Sequence, residues 1–118
     1  MTETQRKRFA AALGRLADDE DLLIAMGFIV LDDAPAVIRD LETYVAASDL
    51  GEVASTAHKL KGLMSTFETD GVVVTIQDLI VSAKVGDQCE CERQMAACKP
   101  ELKKLMSEIR AIVEAGSA

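Results

Sequence analysis

Residues 50–67, Leu50-Gly51-Glu52-Val53-Ala54-Ser55-Thr56-Ala57-His58-Lys59-Leu60-Lys61-Gly62-Leu63-Met64-Ser65-Thr66-Phe67, decide the fold. Leu50, Val53, Ala57, Leu60, Met64 and Phe67 recur at spacings 3-4-3-4-3, the pattern of a helix with one face on a core. Asp49 stands where a residue should cap it. At about 100° per residue, His58 falls roughly 130° from the centre of that seam, and Ser55 and Gly62 roughly 170°. The sole histidine of the chain therefore belongs on the outer face of a helix. Lys61 and Ser65 lie on its side, and the small residues Ala54, Ser55, Gly62 and Ser65 surround it.

Outward from this segment, apolar periodicity and caps predict five more helices. The first runs from Glu3 to Leu16, opened by a Thr2–Gln5 capping box, with a thin stripe of Phe9, Leu13 and Leu16. The acidic cluster Asp18-Asp19-Glu20-Asp21 starts the second, as suits a helix dipole. Its body, Leu22 to Leu31, is apolar on every face and reads as core in preference to a docking strip. Asp32-Asp33-Ala34-Pro35 reads as a break, with Pro35 opening a third helix that ends near Ala47. After a turn at Thr69-Asp70-Gly71 comes a helix from Val72 to Lys84. Its β-branched start, Val72-Val73-Val74-Thr75-Ile76, would suit a strand. A lone strand would find no partner, so helix is expected. Gly86-Asp87 turns the chain into a last helix, Gln88 to Ile112, which Pro100 should kink or loosen.

Connections this short make sequential helices antiparallel neighbours. The expected fold is all-α: an antiparallel up-down four-helix bundle from about Ala34 to Ile112, with additional N-terminal helices. The helix starting near Asp19 should pack across one end. Residues 1–17 form a helical extension in this reading and residues 18–118 the bundle, in a single domain.

Composition narrows the function. With 118 residues, 49% of them hydrophobic, the chain can build one core. Aromatics at 3%, and no Trp, leave that core to aliphatic side chains, which favours helices over a sandwich. A net charge of −7 opposes general binding to nucleic acid or anionic lipid. The N-terminal residues lack a signal-peptide layout, and the ten-residue apolar run Leu22–Leu31 is too short to span a bilayer. A cytoplasmic protein is expected. Cys89, Cys91 and Cys98 are odd in number and match no zinc spacing, so neither a disulfide framework nor a metal site is expected. No P-loop and no Ser-His-Asp set appears, which speaks against an autonomous enzyme and against a cofactor.

What remains is the outer face around His58. Histidine titrates near neutral pH, so an exposed imidazole offers a nucleophilic nitrogen there. Lys61, one turn on, can neutralise phosphoryl charge. Glycine inside a helix costs about 1 kcal/mol relative to alanine, and Gly62 faces away from the seam, where close helix packing cannot explain it. Access for a partner does. The plain alternatives are a surface histidine with no task and a lysine that is an ordinary solvated charge.

The hexapeptide Ala57-His58-Lys59-Leu60-Lys61-Gly62 resembles the Ala-His-x-Leu-Lys-Gly signature of histidine-containing phosphotransfer (HPt) domains. Asp32-Asp33-Ala34-Pro35 is similar to that family's acidic-Ala-Pro break, and Lys84-Val85-Gly86-Asp87 to its basic-x-Gly-Asp turn. The likeness covers roughly residues 19 to 112 without a gap. The resemblance implies that His58 accepts a phosphoryl group from a receiver-domain aspartyl phosphate and passes it to another receiver. It also implies that Lys61 stabilises the phosphohistidine, that Gly62 gives access, and that Ala54, Ser55 and Ser65 form a docking rim. The partners would be receiver domains of response regulators or hybrid kinases, which supply the Mg²⁺, and the protein would work as a monomer without a nucleotide site. One departure stands out: Glu68 occupies a position where the family usually has a helix-ending Gly, a role that Gly71 is expected to assume.

Two rivals compete. A helical adaptor would bind a partner through an apolar groove without phosphate chemistry. A sensor-kinase dimerisation region would need a following ATP-binding domain, which this sequence does not contain.

Overall fold

Side-chain caps start the helices where the acidic and hydroxyl residues stand. The Thr2–Gln5 capping box forms, and Asp19 and Asp49 accept from the amides of Leu22 and Glu52. Asp87 accepts from Glu90 N at 3.1 Å. The computed structural model describes residues 1–117, and among these it contains six helices and no strand. They are α1 Glu3–Arg8, α2 Ala10–Arg15, α3 Glu20–Ala46, α4 Leu50–Met64, α5 Val72–Lys84 and α6 Gln88–Ser117.

Helices α3 to α6 form the all-α up-down bundle. Each packs on the next, and α6 closes the ring on α3. The seam of α4 is as expected: Val53, Ala57, Leu60 and Met64 are fully buried. The β-branched start of α5 is helical, with Val72, Val73 and Ile76 in the core. The turn at Lys84–Asp87 has a simple cause. Gly86 adopts φ +79°, and the bonds Gly86 N to Ala83 O and Asp87 N to Ser82 O end α5 while Asp87 caps α6.

Four features depart from the sequence reading. First, no break occurs at Asp32–Pro35: α3 is one helix of 27 residues with Pro35 inside it. The buried series Leu23, Gly27, Val30, Ala34, Val37, Leu41, Val45 keeps one phase across the proline. Packing on both sides thus outweighs the one hydrogen bond Pro35 removes. Second, the Asp19 helix is consequently not laid across one end. It continues along α6, which extends to Ser117 and not Ile112. A Cβ at Gly27 would lie 2.8 Å from Val113 and 3.3 Å from Ile109, so glycine permits this close approach. Pro100 lies inside α6, where the sequence reading has it. Third, the Leu22–Leu31 segment is not wholly core, because Leu22, Phe28 and Ile29 are exposed at 43%, 52% and 56%.

Fourth, the first helix is split at Phe9 (φ −107°, ψ 25°). Phe9 is turned into the core, 1% exposed, edge-on to Phe67 at 5.5 Å between ring centroids. Unwinding one residue costs less than leaving this ring in water. The segment sits over the end of α4 and the loop that leads into α5. Arg8 pairs with Glu68 and Glu108 at 2.9 and 2.8 Å, and Arg15 donates to the Ser65 and Thr66 carbonyls.

Candidate functional site

The site is built on α4. With the seam inward, His58, Lys59, Ser55 and Gly62 are exposed, while Ala54, Lys61 and Ser65 are half-buried. The His58 ring therefore stands in solvent midway along the helix, and among the described residues it has no hydrogen-bond or ion-pair partner. A Cβ added at Gly62 would meet nothing within 4 Å, so the surface one turn from His58 is open.

Lys61 is not an ordinary solvated charge. Its Nζ donates to Gln77 Oε1 of α5 at 2.8 Å. This bond lays the lysine along the α4–α5 groove, and His58 is three residues, about 4.5 Å of axial rise, away. An ammonium has three N–H donors. Gln77 takes one, and two remain for an incoming anion. Gln77 was missed by the sequence reading. Its only signal was a polar amide flanking the buried face of a largely apolar α5, and its meeting with Lys61 depends on how the two helices slide against each other.

The remaining candidates divide. Ser55 lies on the open face beside His58, while Ala54 is half-buried against the core at its edge. The Ser65 hydroxyl is engaged, donating to Lys61 O at 2.6 Å near the end of α4, so it steadies the turn that carries Lys61. Glu68 does not disturb the rim. Its carboxylate is turned to Arg8, and α4 ends at Met64. Gly71 (φ +54°) stands before α5 instead of ending α4, which corrects the expectation that it would take the missing Gly's place.

Elsewhere the chemistry is quiet. Burial pushes the Cys98 thiol up to about 12, and Cys91 is raised by burial and then by Asp87 and Glu90, so both stay protonated and inert near neutral pH. Among the described residues no group of three or more His, Cys, Asp or Glu is placed to hold a metal ion, and no helix is long and apolar enough to cross a membrane. An apolar groove of about 310 Å³, lined by residues that include Ile38, Pro100, Leu102 and Met106, lies between α3 and α6. That is the side of the bundle opposite the α4–α5 groove.

Searches of curated proteins and of solved structures found no significant match. The family model described as Hpt domain matches residues 29–112, from within α3 through α4 and α5 to the last turns of α6. An open imidazole on a helical bundle, backed by that match over most of the chain, leads to one conclusion: the chain belongs to the Hpt domain family, the phosphocarrier modules of two-component signalling.

Proposed function

We propose that the protein is a phosphorelay intermediate, accepting a phosphoryl group on His58 from the aspartyl phosphate of one receiver domain and passing it to another. The observation that carries this reading is the unpartnered, exposed ring beside a lysine held by Gln77. In the first transfer the lone pair of the unprotonated ring nitrogen attacks phosphorus. An N–P bond forms as the acyl P–O bond breaks, the carboxylate leaves with the electron pair, and the proton on the other nitrogen goes to solvent. In the second, a receiver carboxylate attacks phosphorus, the N–P bond breaks and the ring takes back a proton. Mg²⁺ belongs to the receiver. Lys61 offsets phosphoryl charge through its two free donors, and Gly62, Ala54 and Ser55 leave room for the receiver. Residues 1–17 act as a helical extension of the 18–118 unit, which works as a monomer in the cytoplasm where its receivers are.

A phosphorylated receiver with Mg²⁺ should label the protein at His58 as a phosphoramidate that acid destroys and alkali spares. His58→Gln should remove the label and keep the fold, because an exposed side chain contributes little stability. Label that persists in His58→Gln would refute the site. If no receiver from the source organism labels the wild type, the adaptor reading, which the apolar α3–α6 groove would serve, replaces this one.

A further inference from the structure

Three valines stand in water along α5 and at its C-cap: Val74 and Val81 in the helix, exposed at 50% each, and Val85 just past its last residue, exposed at 73%. They sit at i, i+7 and i+11, so they form one stripe along the helix. Val74 and Val81 are the i−3 and i+4 neighbours of Gln77 and flank it on the surface. Because Lys61 and Gln77 are bonded, the register of the antiparallel pair is known. Stepping three residues back to His58 on α4 and four forward to Val81 on α5 brings the two to the same level within about 2 Å. The helix axes are about 8–10 Å apart. Val81 therefore lies across the α4–α5 groove from His58, on the side of α4 that carries Lys61, and the stripe runs on from it in both directions.

Apolar side chains left exposed in a row mark a surface that something covers, and the position of this row says what. We infer that the stripe is the docking surface for the receiver that exchanges phosphoryl groups with His58, and that it takes an apolar patch of that partner. The inference rests on the phosphorelay reading. A receiver aspartate that reaches the His58 nitrogen has to lie over the outer faces of α4 and α5, and the stripe is the apolar ground there. Charge agrees. In a chain of net −7, the faces beside the α4–α5 groove carry Lys61 and Lys84, with Asp78 set between Val74 and Val81. A lysine-edged surface suits a partner whose active site bears carboxylates and a phosphoryl group. The other exposed apolar group, Phe28 and Ile29, fits less well. Asp33 and Val37 share a cleft with Lys59 and Leu63, which fixes the α3–α4 register and puts Phe28 about ten residues, or roughly 15 Å, along the axis from His58.

The test uses the full chain and the one receiver domain, among those of the source organism, that labels the wild type fastest after charging with acetyl phosphate and Mg²⁺. Val74→Asp/Val81→Asp should lower the kcat/KM of transfer by at least tenfold, mainly through KM. Val74→Thr/Val81→Thr, which keeps shape and branching, should lower it by a few-fold. Phe28→Asp/Ile29→Asp should transfer within twofold of wild type. Potassium phosphoramidate, a small donor that needs no docking, should label His58 equally in all of them and so confirms an intact fold and ring. Transfer by both valine variants within twofold of wild type, or a large loss in the Phe28/Ile29 variant alone, overturns the surface and leaves the relay standing. A dimer in wild type that the valine variants dissociate would assign the stripe to a second copy and overturn it as well. Failure of both phosphoramidate and receivers to label wild-type His58 overturns the relay itself, and the surface with it.

Discussion

Removing Gln77 asks whether Lys61 works alone. A net hydrogen bond of this kind contributes about 1 kcal/mol, so Gln77→Ala should slow transfer roughly fivefold by freeing the lysine. Lys61→Ala should slow it further, and the double variant should be no slower than Lys61→Ala, since the two act as one unit. Initial transfer rates of the four proteins check this, and additive losses would show that Gln77 acts independently. Gly62 gives the complementary case. With nothing within 4 Å of an added Cβ, Gly62→Ala should raise stability by about 0.5–1 kcal/mol in urea unfolding. Gly62→Leu should fold as well and transfer at least tenfold more slowly, because the added side chain stands where the receiver must approach. The difference between these two residues shows what a sequence makes legible. The outward position of His58, Lys61 and Gly62 follows from the period of one helix. Gln77 belongs to the site only through the register of two helices, which no single segment encodes.

At the scale of elements, the same contrast explains the misread break at Pro35. A proline after two aspartates resembles a helix start, and by local rules it is one. The buried series from Leu23 to Val45 overrides those rules because both halves bury one continuous face of the helix. That continuity makes Gly27 a contact point between α3 and α6. Gly27→Val would drive side-chain atoms into Val113 and Ile109, already 2.8 and 3.3 Å from a Cβ. We expect a loss of about 1–3 kcal/mol, seen as a lower urea midpoint, with phosphoramidate labelling of His58 retained in the folded fraction. The split at Phe9 was illegible for a related reason. A capping box and a run of helix formers favour one helix, and only the presence of Phe67 beneath the ring makes the kink worthwhile.

For the whole molecule, the N-terminal segment is fastened by charge as well as by Phe9. The Glu20 carboxyl is held below the usual carboxylate range, chiefly by its hydrogen bond from Arg6 at 3.1 Å. A depressed carboxylate contributes stability that is present above its unfolded pKa and lost as pH falls through the lower folded value. The thermal midpoint should therefore drop between about pH 5 and pH 3 more steeply in wild type than in Glu20→Gln, and equal slopes would show the pair to be idle. The molecule measures 43 × 21 × 19 Å, while a helix of 27 residues is about 40 Å long, so α3 runs the full length of the body and its antiparallel partner α6 runs with it. A body twice as long as it is wide tumbles anisotropically in solution. Since helical N–H vectors point along the helix axis, the amides of α3 and α6 lie nearly parallel to the slow-reorienting long axis. Their ¹⁵N transverse-to-longitudinal relaxation ratios should form a uniform high plateau. Receiver docking across α4 and α5 would broaden the body, and the same amides, far from the contact, would report it by losing that plateau's contrast with the rest of the chain.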